Sequence, residues 1–124
     1  MTDKKILIAD DEANVRSLVS RALGQHFIVL EARDGQEAIE IASTHQPDLI
    51  LMDLMMPRVD GNTACSIIKN DPATKQIRVV MMSGVGYELN KKLSLQLGAD
   101  GYITKPFKLP ELLETIAQFL RLPG

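Results

Sequence analysis

Short apolar runs alternate along the chain with stretches in which apolar residues return every three or four positions. Ile6-Leu7-Ile8-Ala9, Leu49-Ile50-Leu51-Met52 and Val79-Val80-Met81-Met82 are continuously apolar, the pattern of strands buried on both faces. Phe27 to Leu30 is a further β-rich run, Ile77 to Met82 bounds the fourth strand, and a short strand is predicted near Gly101 to Thr104. Helical spacing separates these runs. Val15, Leu18, Val19, Ala22 and Leu23 predict a core-facing first helix that stops at Gly24. Ala38, Ile41 and Ala42 mark a second, ended before Pro47, and Ala64, Ile67 and Ile68 a third, ended before Pro72. Leu89, Leu93 and Leu97 are the predicted core stripe of a fourth helix closed by Gly98. Pro110 suits the first turn of a fifth, with Leu113, Ile116, Ala117 and Leu120 as its stripe. Leu95 falls opposite the fourth helix's stripe, and Leu112 and Phe119 fall on one flank of the fifth's, so these three are expected toward solvent.

A strand followed by a helix, five times over, predicts a parallel sheet covered by helices on both faces. The fold class expected is α/β, a flavodoxin-like (βα)5 three-layer sandwich with strand order 2-1-3-4-5. In such sheets ligands bind at the carboxyl ends of the strands, where the order reverses, here between strands one and three.

Polar residues stand at those ends. Asp10 and Asp11 follow the first strand, Asp53 the third, Ser83 the fourth and Lys105 the fifth. Read singly, Asp10 or Asp11 caps a helix, Asp53 is a loop residue, Ser83 before Gly84 a turn, and Lys105 before Pro106 an exposed lysine. Read together, the strand order brings them to one pocket. Three carboxylates repel one another, which calls for protonation, for Lys105 or for a metal. Oxygen-only ligands favour a hard cation such as Mg²⁺, with the backbone carbonyl of Met55 to complete the set. Asp53 is the carboxylate expected to react, attacking phosphorus to give an aspartyl phosphate. Ser83 and Lys105 are placed to receive the phosphoryl oxygens.

Composition narrows the context. The chain has 124 residues, 45% hydrophobic and 24% charged, which fits one globular domain. A net charge of -2 gives no electrostatic ground for binding nucleic acid or an anionic membrane. The single cysteine, Cys65, excludes an internal disulfide and fits a reducing compartment. No run reaches membrane-spanning length, and the start is too short for a signal peptide, so a cytoplasmic location is expected. His26 and His45 lie away from the acidic edge, and Lys91-Lys92 reads as a solvated face.

The segments Ile8-Ala9-Asp10-Asp11-Glu12, Leu51-Met52-Asp53-Leu54-Met55-Met56-Pro57, Asp60-Gly61, Met82-Ser83-Gly84 and Gly98 to Phe107 resemble, in this order and spacing, the receiver domain of two-component response regulators. The resemblance covers nearly the whole chain and implies a single receiver domain over 1-124. It implies Asp53 as phosphoacceptor, Asp10 and Asp11 as Mg²⁺-site acids, Lys105 as partner of the phosphoryl group, and Ser83 and Tyr102 as switch residues. A cis Lys105-Pro106 bond is implied too. The expected partner is a histidine kinase or a phosphotransfer protein. A homodimer or effector contact is expected on the face of helix four, strand five and helix five, through Leu95, Tyr102 and Phe119. Met55 and Val85, both apolar, flank the site and cannot hold an attacking water by hydrogen bonds, which predicts slow autodephosphorylation, whereas Gly84 pulls the other way by leaving the phosphoryl group open to solvent or a phosphatase.

Two other functions fit less well. A phosphatase or phosphotransferase with an Asp nucleophile commonly carries a second Asp two positions on, where this chain has Met55. A flavodoxin-like flavin module needs a phosphate-cradling loop after strand one, where Asp10-Asp11-Glu12 would repel a phosphate.

Overall fold

The structure is a computed structural model that describes residues 3–84 and 88–120, and for 88–90 the backbone alone. The elements run β1 (Lys5–Ala9), α1 (Ala13–Leu23), β2 (Ile28–Ala32), α2 (Gly35–His45), β3 (Leu49–Asp53), α3 (Gly61–Asn70), β4 (Arg78–Gly84), α4 (Glu88–Gln96), β5 (Gly101–Lys105) and α5 (Leu109–Leu120). The strands form one parallel sheet in the order β2-β1-β3-β4-β5. The expected (βα)5 architecture is therefore the observed one.

Alternation along each strand sorts its side chains into two layers. Leu7, Ala9, Ile50, Met52, Val79 and Met81 pack against Ala38 and Ala42 of α2 and Ala64, Cys65 and Ile68 of α3. Ile6, Ile8, Leu49, Leu51, Val80 and Met82 pack on the other face against Val19 and Leu23 of α1 and Leu112 and Ile116 of α5. The central strands are buried on both sides, so a one-residue slip of register would exchange the two layers. That requirement fixes which strand residue comes last, and hence where the polar residues sit.

The helix ends are set by local chemistry. Asp34 accepts from the Glu37 N–H at 2.9 Å and Asp60 from the Thr63 N–H at 2.8 Å, capping α2 and α3. Gly98 closes α4 with φ +109°, a backbone conformation open to glycine. At the sheet edge away from the acids, Asp100 accepts from the Val79 N–H at 2.8 Å, Lys69 Nζ at 3.0 Å and Arg78 Nη1 at 3.3 Å. Among the described residues, no helix is long and apolar enough to cross a membrane.

Several helix faces differ from expectation. Leu18 is 71% exposed rather than core, because α1 turns Val19 and Leu23 inward. Leu112 is fully buried, not solvent-facing, so the face of α5 is rotated toward Leu112 and Ile116, with Leu113, Ala117 and Leu120 at its margins. On α4, Leu93 is 45% exposed and Leu97 only half-buried, while Ser94 is fully buried. Ser94 Oγ donates to Asn62 Oδ1 at 2.7 Å, which satisfies the hydroxyl and lets a polar residue take the inner position. The side chain of Leu89 lies outside the described residues. Strand β2 begins after Phe27, which is buried under the α1 layer.

Candidate functional site

Asp10 comes directly after β1 and is fully buried. Its backbone is fixed first: the N–H donates to Ala32 O at 3.1 Å and the carbonyl accepts from Arg16 Nη1 at 2.7 Å. Its side chain is also committed. Oδ1 accepts from the Glu12 N–H at 2.9 Å and Oδ2 from Lys105 Nζ at 2.8 Å. The first helix is capped by neither Asp10 nor Asp11, since its N-cap residue is Glu12.

Asp53 ends β3 and stands beside Met82 of β4. The chain then turns tightly, with the Leu54 N–H on Met82 O and the Gly61 N–H on Leu54 O, both at 2.9 Å. A Cβ on Gly61 would lie 2.2 Å from Asp53 O, so only glycine lets α3 start this close to the acid. Lys105 Nζ reaches Asp53 Oδ1 at 3.3 Å from the end of β5. Ser83, one residue beyond Asp53's neighbour on β4 and paired with Thr104, is buried. Asp11 is exposed, and one oxygen each from Asp10, Asp11 and Asp53 lie within 4.8 Å of one another.

The electrostatics follow from this packing. Burial, reinforced by the Asp10 charge, pushes the Asp53 carboxyl up to about 6, with Lys105 pulling the other way. Burial works against the Lys105 ammonium, but the hydrogen bond to Asp10 and the charges of both acids outweigh it and hold its pKa above the ordinary value. Excess negative charge at close quarters, presented entirely by oxygen, is a donor set that fits a hard divalent cation.

Asp10, Asp11, Asp53, Ser83 and Lys105 thus all stand at the carboxyl edge of the sheet, and the Lys105-Pro106 bond is cis. Met55 lies in the turn after Asp53 with its side chain 66% exposed. Tyr102 is half-buried in β5 and packs with the layer that includes Met52 and Met81. Leu95 is 43% exposed, whereas Phe119 is half-buried and lies over Gly101, where a Cβ would meet its ring at 2.5 Å. Val85 lies outside the described residues. His26 and His45 lie at none of the strand ends that form the pocket.

Two features beside the site escape a reading of the sequence. Arg16 braces the Asp10 carbonyl and pairs with Glu31 at 3.4 Å. Arg58 in the β3–α3 turn forks onto Asp34 at the start of α2. The cap signal Asp34-Gly35-Gln36-Glu37 is visible in the sequence, but nothing local announces a partner 24 residues away.

The sequence matches the response regulator receiver domain family over residues 6–117. It is 40% identical over 118 residues to the chemotaxis protein CheY of Halobacterium salinarum, covering 94% of this chain and 97% of that protein. It is also 40% identical over 125 residues to the phosphate regulon transcriptional regulatory protein PhoB of Pseudomonas aeruginosa, covering 100% of this chain and 55% of that one. The chain spans about half the length of the curated transcriptional regulators it matches. Its fold superposes on Vibrio cholerae chemotaxis protein CheY4 with a TM-score of 0.89 at 28% identity, covering 95% of this chain and 99% of that one. The chain therefore belongs to the receiver domains of two-component response regulators.

Proposed function

We propose that Asp53 is the phosphoacceptor of this receiver domain, within a single unit spanning residues 1–124. The observation that carries the reading is the bridge made by Lys105, whose ammonium contacts Asp10 at 2.8 Å and Asp53 at 3.3 Å in a pocket of three carboxylates. Response regulators work with histidine kinases, and the phosphoryl group comes from a kinase phosphohistidine or from a phosphotransfer protein. An Asp53 carboxylate oxygen attacks phosphorus, the new P–O bond forms, and the P–N bond breaks with its electron pair going to the imidazole nitrogen. Asp10, Asp11, Asp53 and the Met55 carbonyl are the residues that would hold Mg²⁺, which when bound supplies positive charge against the incoming phosphoryl oxygens.

The chain's own groups do the rest. Lys105 is near enough to Asp53 to shift its ammonium from Asp10 to a phosphoryl oxygen. Ser83 donates its hydroxyl to another, and Tyr102 passes the change to the face of α4, β5 and α5, where Leu95 and Phe119 contact an effector or a second copy. Asp53 serves as a reversible switch: two positions on, where enzymes that turn over through an Asp nucleophile carry a second Asp, this chain has Met55. The lone Cys65, buried and with its thiol pushed up to about 11 by burial, suits the cytoplasm, where no disulfide is needed.

Incubation with a small phosphodonor and Mg²⁺, read by intact mass, tests the assignment. One added phosphoryl group, absent in Asp53→Asn, is the expected result. A folded wild-type chain whose mass does not change, or an Asp53→Asn chain that is still modified, overturns it.

A further inference from the structure

Between β3 and α3 the chain makes a turn whose two ends are held by backbone bonds at Leu54 and Gly61. Its middle is held differently. Arg58 has φ +67°, a left-handed conformation that costs a non-glycine residue about 1 kcal/mol. Glycine or asparagine would sit there more easily, so the arginine must contribute through its side chain. That side chain forks onto Asp34: Nε lies 3.0 Å from Oδ2 and Nη2 3.2 Å from Oδ1.

Asp34 is no ordinary surface acid. It is buried and its Oδ1 already accepts from the Glu37 N–H at the start of α2. The neighbouring residues repeat the attachment, since the Gly35 N–H donates to Val59 O at 3.1 Å. The fit there is close enough that a Cβ on Gly35 would lie 2.0 Å from Val59 O. Residues 58 and 59 of the turn are therefore fastened to Asp34, which caps α2, and to Gly35, its first residue. Leu54 and Met56 are buried on either side of Met55, whose own side chain points outward. Met55 thus lies between the β3 end and the fastened segment.

We propose that Asp34 and Arg58 are positioning residues that clamp the β3–α3 turn and thereby set the affinity of the acidic pocket for a divalent cation. The inference rests on the reading above, in which the Met55 backbone carbonyl completes the cation site. The clamp works by removing freedom: a turn held at residues 58–59 presents the Met55 peptide in one place rather than many.

Arg58→Gly removes the fork while relieving the strain at φ +67°, and Arg58→Asn, which also tolerates that conformation, removes the fork without glycine's added backbone freedom and is expected to weaken Mg²⁺ to the same degree. Mg²⁺ dissociation constants measured by calorimetry, alongside melting temperatures without metal, give the readout. Arg58→Gly is expected to weaken Mg²⁺ about threefold to tenfold with little change in metal-free melting temperature. Arg58→Lys, which keeps the charge but not the fork, is expected to fall between. Asp34→Asn combined with Arg58→Gly is expected to be no weaker than Arg58→Gly alone, since both remove one interaction. Unchanged Mg²⁺ affinity in Arg58→Gly, with wild type binding normally, overturns the clamp and leaves the phosphoacceptor reading standing. A folded wild-type chain that neither binds Mg²⁺ nor gains a phosphoryl group overturns both.

Discussion

Lys105 lies closer to Asp10 than to Asp53, 2.8 Å against 3.3 Å, so its ammonium is held chiefly by the acid that is not expected to react. Asp10 is fully buried, and Lys105 is its only charge partner among the described residues.

Two effects of Lys105→Ala follow, with opposite signs. Without metal, a buried carboxylate loses its cation, which costs about 3–5 kcal/mol. With metal, a competing positive charge is gone, and Mg²⁺ is expected to bind about fivefold more tightly. Denaturant melts with and without Mg²⁺ check both: the variant should be the less stable chain in EDTA and should recover more than wild type on adding the ion.

Asp53 links the pocket to pH. Its carboxyl, ordinarily near 3.8, is pushed up to about 6 in the folded chain, chiefly by burial. The native state therefore holds a proton that the unfolded chain releases at lower pH. The resulting stabilisation is complete below pH 3.8 and is lost as pH rises through about 6. At pH 7.5 the metal-free protein has therefore lost about 3 kcal/mol through this group relative to acid pH. Asp53→Asn is expected to melt higher than wild type at that pH, with the advantage shrinking toward pH 4. Mg²⁺ affinity, which needs the ionised carboxylate, is expected to fall as pH drops through 6.

How much of this was readable in advance depended on the kind of signal. Asp10, Asp53, Ser83 and Lys105 are legible because each ends an apolar run, and a parallel sheet places run ends on one edge. Helix α4 is not legible in the same way. Its leucines announce a helix, but the inner position goes to Ser94, whose hydroxyl finds Asn62 across the α3–α4 contact. On α5, Leu112 and Leu113 satisfy the same periodicity, and only packing against the sheet selects Leu112. The fork of Arg58 on Asp34 carries no periodic trace, because it depends on two turns meeting in space.

Gly61 tests the tightness of the turn after Asp53. An added methyl would meet Asp53 O at 2.2 Å and Leu54 Cα at 2.9 Å, and both are backbone atoms that cannot swing aside. Gly61→Ala is expected to cost about 2–4 kcal/mol and to slow phosphorylation of Asp53 by displacing its carbonyl. Urea unfolding together with a phosphodonor time course measures the two effects, and a stable variant phosphorylated at the wild-type rate would contradict the geometry.

Met55 bears on how long a phosphoryl group would last. Its apolar side chain, exposed two residues after Asp53, offers a hydrolytic water no donor and only a weak thioether acceptor. Met55→Asn is expected to shorten the phosphoryl half-life by about threefold or more, since a positioned water contributes on the scale of general acid–base effects. Decay of the phosphorylated mass after removal of donor gives the rate, and equal half-lives would remove Met55 from the account.

The proposed partner face divides into residues that can be tested cleanly and one that cannot. Leu95 is 43% exposed and contributes to neither core layer, so Leu95→Ala is expected to leave stability within about 0.5 kcal/mol of wild type. Phe119 covers Gly101 and joins the α1–α5 layer, so Phe119→Ala opens a void and is expected to cost about 2–3 kcal/mol, whatever it does to a partner. Loss of association in Phe119→Ala would thus mix two causes. Leu95→Ala, at unchanged stability and unchanged phosphorylation of Asp53, is the informative change. Sedimentation of the phosphorylated chain, alone and with candidate effectors, is expected to show weaker phosphorylation-dependent association in that variant. Full association would place the partner surface elsewhere than on α4.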